Sequence, residues 1–74
     1  MKRKIKVEVE WLGSDQRGSD YWVSFPDCDQ RPFRITVKPS DAHIYRAPED
    51  DLLYKFLLDE LDIRGLEATE IVTK

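Results

Sequence analysis

One stretch, Pro48 to Gly65 (PEDDLLYKFLLDELDIRG), constrains this chain more than any other: it alone reads as a full helix and holds most of the large aliphatic side chains. Pro48 suits a first helical position. Glu49, Asp50 and Asp51 suit the positive end of the helix dipole, at roughly 0.3–1 kcal/mol each. Gly65 can take the left-handed conformation that ends a helix, Arg64 is a favourable charge in the last turn, and Leu66 is placed to touch Leu61. At ~100° per residue, Leu52, Leu53, Phe56, Leu57, Leu61 and Ile63 fall within about half the circumference, interrupted by Glu60. Tyr54 and Leu58 extend the apolar arc beyond it, leaving a polar wedge of Asp51, Lys55, Asp59 and Asp62. A small sheet covers only one side of a helix. Tyr54 and Leu58 therefore need more cover, expected first from the C-terminal segment or the 39–47 crossover, and otherwise from another molecule.

The sheet announces itself by alternation. From Lys4 to Trp11 the odd positions Ile5, Val7, Val9 and Trp11 share one face, and Lys4, Lys6, Glu8 and Glu10 the other, as in a half-buried strand. The turn LGSDQRGSD is longer than a tight hairpin needs and reads as a flexible loop. Tyr21, Val23 and Phe25 resume the apolar face with Trp22 and Ser24 opposite, until Pro26. Phe33, Ile35 and Val37 repeat the pattern before Pro39. Three such strands favour an antiparallel meander with the second strand central. Trp11 is expected opposite Tyr21 and Ser24 opposite Arg34, giving outer-face rows Glu10, Trp22, Thr36 and Glu8, Ser24, Arg34. Within Ser40 to Ala47, the least legible segment, His43 to Arg46 reads as either a short fourth strand or an irregular crossover, and Glu70 to Thr73 reads as a short edge strand.

These elements predict one domain spanning residues 1–74: an α+β fold with a small antiparallel three- to four-stranded meander sheet, one α-helix packed on one face, and the order β-β-β-(β)-α-β. Seventy-four residues bury only ~60% of the surface the unfolded chain exposes, which leaves one small core. The 41% hydrophobic content argues against disorder despite 36% charge. With no apolar run near ~18 residues and no charged-then-apolar leader, neither a membrane span nor a secretory signal is read, and a cytoplasmic location is expected. A lone Cys28, unable to form an intrachain disulfide, agrees with a reducing compartment.

No constellation points to catalysis. Cys28 lies between Asp27 and Asp29, whose charges disfavour a thiolate. His43 is the single histidine, so a multi-histidine metal site is excluded, and Ser40, Asp41 and His43 are too crowded in sequence for a triad. Asp27-Cys28-Asp29 lacks the glycine and glutamate of a calcium loop, and no glycine-rich phosphate loop exists. The chain is read as non-enzymatic, without cofactor or metal.

The net charge of −3 is unevenly spread: Glu49 to Asp62 carries six acids against Lys55, while residues 1–11 and 31–46 are basic. Asp59, Glu60 and Asp62 occupy the negative end of the helix dipole, where they oppose local stability by a few tenths to ~1 kcal/mol each. Acids that cost stability are candidates for selected function. The expectation is a protein-binding module, an inhibitor or adaptor, that meets a basic partner surface through Asp51, Tyr54, Leu58, Asp59, Glu60 and Asp62, with Trp22 as a secondary contact. Tyr54 and Leu58 could also support a homodimer. The alternative is single-stranded nucleic-acid binding on the outer sheet face through Lys4, Lys6, Trp22, Arg34 and Lys38, weakened by the acids interspersed there and by the acidic total.

The run IKVEVE through YWVSFPD, ending in Phe25-Pro26-Asp27, resembles the first hairpin of HicB-type antitoxins over about twenty residues. The later sequence departs from that pattern, and the resemblance carries no function across. In size and charge alone the chain is similar to phage-encoded inhibitors, anti-CRISPR proteins among them.

Overall fold

Alternation that buries one sheet face and helical spacing that buries one helix face produce a two-layer α+β structure, seen in a computed structural model that describes residues 2–74. Among these residues the chain forms β1 (Arg3–Asp15), β2 (Gly18–Ser24), β3 (Phe33–Val37), α1 (Pro39–Tyr45), α2 (Glu49–Ile63) and β4 (Leu66–Thr73). The sheet order is β3-β2-β1-β4. The first three strands are the expected antiparallel meander, but β4 pairs parallel with β1, so the sheet is mixed. Direction follows from the connection: α2 crosses the sheet, and the chain that leaves it runs alongside β1 in the same sense.

The core is the inner sheet face, with Ile5, Val7, Val9, Tyr21, Val23, Ile35 and Val37, closed by Leu52, Leu53, Leu57 and Leu61 of α2 and joined by Phe25 and Leu66. Gly65, at φ 71°, turns the chain out of α2, and its N–H donates to the Asp62 carbonyl at 3.0 Å. Pro48 caps this helix from just outside it rather than opening it.

Residues 39–45 form neither strand nor irregular crossover but the short helix α1. Pro39 starts it, the Asp41 carboxylate accepts the Lys38 N–H at 2.9 Å, and Arg46 in the left-handed conformation ends it. It buries no residue of its own. The first hairpin is also more ordered than its sequence suggests. β1 and β2 pair all the way to Asp15 and Gly18 around a two-residue turn, with Leu12 left over as a bulge. The Asp15 carboxylate accepts the Arg17 N–H at 2.7 Å, and a side chain at Gly18 would collide with the Val37 carbonyl oxygen. Ser14 and buried Ser19 share a hydroxyl hydrogen bond of 2.6 Å across this ladder.

Three further expectations change. Trp11 does pair with Tyr21, yet it is 56% exposed, because β4 ends opposite Val9 and leaves Trp11 without a neighbour on that side. Arg34 lies opposite Trp22 rather than Ser24, a two-residue slip that keeps every side chain on its proper face. Ile63, about 120° around the helix from Leu57 at ~100° per residue, is exposed rather than buried.

Candidate protein-contact surface

Helix α2 has two flanks. On one, Phe56 packs edge-on against Tyr45 of α1 at 5.9 Å between ring centres. Below it, the Arg64 guanidinium lies 4.4 Å over the Phe33 ring of β3, donates to the Arg31 carbonyl and binds Glu60 at 3.1 Å. On the other flank Tyr54, Leu58 and Asp62 form a column at four-residue spacing. Asp62 pairs with Lys2, next to the start of β1, whose outer neighbour is β4. This second flank therefore looks toward the β4 edge. Neither the C-terminal strand nor α1 covers it: Tyr54 is 42% and Leu58 53% exposed. The expected intrachain cover is absent because α1 sits on the opposite flank and β4 lies in the sheet plane below.

The acids do not form a free patch. Asp59 pairs with Lys55 at 3.1 Å, Glu60 with Arg64 and Asp62 with Lys2. Lys2 is held above its ordinary pKa by the hydrogen bond and the charge of Asp62. Lysine and arginine thus offset the dipole conflict at this helix end, while Asp51, in the first turn, has no ion-pair partner among the described residues. Asp51, Tyr54 and Leu58 are the part of the expected site that stands together and uncovered. Trp22 is on the outer sheet face, on the far side of the molecule from α2.

The basic residues of the alternative are dispersed. Lys4 and Lys6 lie opposite Glu67 and Glu70 on β4, and Lys38 adjoins α1. Only Arg34 stands beside Trp22, with Glu10 on that residue's other side. Glu8, in the same face, binds Lys74 at 2.8 Å and raises its pKa by hydrogen bond and charge. Such a face alternates in sign rather than presenting a groove of one charge.

Three open depressions of about 240, 220 and 280 Å³ mark the surface. The first is lined by Arg3, Lys4, Lys6, Asp27 and Cys28, the second by Ser19, Val37 and Ala42 beside Glu49, the third by Asp20, Arg34 and Thr36. His43 lines none of these three. Among the described residues no three His, Cys, Asp or Glu side chains converge as metal ligands, and no helix is long and apolar enough to cross a membrane.

Sequence reasoning underrated one functional candidate, the outer edge of β4. The sequence suggests only a short edge strand, Glu70 to Thr73, whereas the strand runs eight residues with an irregularity at Thr69, whose hydroxyl donates to the Ile5 carbonyl at 3.0 Å. Comparison with family models, with curated proteins and with solved structures finds no match to this chain.

Proposed function

We propose that this chain is a non-enzymatic protein-binding module, of inhibitor or adaptor type, that presents α2 to a partner with a basic surface. The supporting observation is the half-exposed apolar flank of α2, Tyr54 and Leu58, next to Asp51, which has no ion-pair partner among the described residues. Paired aromatic and aliphatic anchors beside charge are what a contact surface uses, the charge steering encounter and the apolar groups supplying affinity. Asp59 and Asp62, though paired within the chain, extend the negative potential along the same helix. Phage-type inhibitors, including anti-CRISPR proteins, are one class compatible with this size and charge. Nucleic-acid binding has less support, because Lys4 and Lys6 face glutamates across the sheet and only Arg34 adjoins Trp22.

The test begins with affinity purification from the native host and calorimetry on the partner recovered. Asp51→Lys and Asp59→Lys together are expected to weaken binding at least about tenfold and to reduce its salt dependence, with thermal unfolding little changed. Binding that survives both reversals unaltered would sink the reading.

A further inference from the structure

The two edges of this sheet are built differently. β3 is five residues long, bracketed by Pro32 and Pro39 and flanked by Arg31 and Lys38, which are devices that discourage another strand from joining. β4 is eight residues long and has no proline in it or beside it, although Glu70 and Lys74 carry charge at the two ends of its last stretch. Its irregularity at Thr69 disturbs only the earlier half, and its last residues are half apolar.

The hydrogen-bonding groups along that edge can be assigned. The Lys74 N–H donates to the Val9 carbonyl at 2.8 Å, so even-numbered residues here turn their backbone groups toward β1. Ile71 and Thr73 consequently point theirs outward, with no strand beyond them. An antiparallel copy of the same strand, related by a two-fold axis at Val72, pairs Ile71 with Thr73 of the second copy and Thr73 with its Ile71. Each pair exchanges two N–H···O bonds. On the outer face this register sets Glu70 opposite the second copy's Lys74, twice, so that each Lys74 is shared between that Glu70 and the Glu8 of its own chain. A two-fold at Glu70 would oppose like charges, and one at Ile71 would set Glu70 against valine. On the inner face it turns the Tyr54 and Leu58 flanks of the two α2 helices toward each other.

We propose that the β4 edge is a self-association site, through which two copies join antiparallel about Val72 into one eight-stranded sheet, β3-β2-β1-β4-β4-β1-β2-β3. This rests on reading the Tyr54 and Leu58 flank as a protein contact and names its occupant as a second copy. In the pair Tyr54 and Leu58 are taken up by the second copy, so a basic partner meets Asp51 and the Lys55-paired Asp59 of each helix rather than those apolar anchors.

Sedimentation equilibrium on the purified protein tests this without any other molecule. The wild type is expected to be dimeric toward high micromolar concentration, and a monomer at every concentration overturns the proposal while leaving the hetero-partner reading intact. Thr73→Pro removes an outward N–H without touching the β1–β4 ladder, so it should give a monomer with unchanged far-ultraviolet circular dichroism. Glu70→Lys and Lys74→Glu should each weaken self-association about tenfold. Mixed together, they should form a heterodimer, because both cross-seam pairs are then opposite in charge. A mixture that stays as weak as its components overturns the register and with it the proposal.

Discussion

Both flanks of α2 carry apolar side chains, and they meet opposite fates. Phe56 finds Tyr45, and Arg64 below it finds Phe33 and the Arg31 carbonyl, so that flank is tied to α1, β3 and the loop before it. Tyr54 and Leu58 stay about half exposed. The difference lies in where the connections run. The chain enters α2 from the β3 side, bringing α1 along, and leaves it through the two-residue exit Arg64-Gly65 straight into β4, with no residues to spare for a lid. Hydrophobicity on a helix wheel does not say which flank will be closed; the route of the chain does.

Substitutions along the helix can break this comparison. The largest effect belongs to the shared column beneath both flanks: Leu57→Ala, at a fully buried position, should cost about 2–5 kcal/mol in urea unfolding. Next, the flanks themselves should part company. Phe56→Ala should cost about 1–3 kcal/mol, while Leu58→Ser, measured in dilute protein, should stay within about 0.5 kcal/mol of wild type. Equal costs would mean that the second flank is covered after all.

The smallest effect is confined to alkaline pH. Tyr21 has a raised pKa, chiefly from burial and then from the charges of Glu49 and Asp50 at the start of α2. A group whose folded pKa is raised contributes stability that is whole below its unfolded value, near 10 for tyrosine, and is lost as pH rises through the folded one. Tyr21→Phe should therefore track wild type at a constant offset up to about pH 9 and lose less stability above it. Parallel stability curves through pH 11 would remove Tyr21 as the cause.

Much of this fold is legible in the residues. Period-two alternation places Ile5, Val7 and Val9, then Tyr21 and Val23, then Ile35 and Val37, each on the buried face. The proline and glycine punctuation puts α2 within a residue or two of its observed bounds. What escapes is whatever depends on distant partners or on short segments. Ile44 and Tyr45 favour a strand by type, yet the proline start and aspartate cap at residues 38–41 make a helix there. The β2–β3 register is set by the eight-residue connection 25–32 rather than by a tight turn, so spacing alone misplaced Arg34 by two. The parallel β1–β4 pairing joins residues more than sixty positions apart and leaves no local mark. Of the candidate surface, Tyr54 and Leu58 were visible as surplus on the helix. The partners of Asp59 and Glu60, Lys55 and Arg64, stand at four-residue helical spacing and leave a local mark, whereas Lys2 lies sixty residues from Asp62 and leaves none.

That first-to-last pairing also orders events in time. During synthesis β1 and β2 emerge early and can zip together, but the other side of β1 must wait for residues 66–73. Until then Ile5, Val7 and Val9 belong to a sheet with an unfinished border, and α2 has only part of its floor. Closing a loop of that length is the slow step expected of non-local topologies. A nascent chain stalled before Leu66 should remain protease-sensitive throughout, and gain protection in one step once the last strand is free.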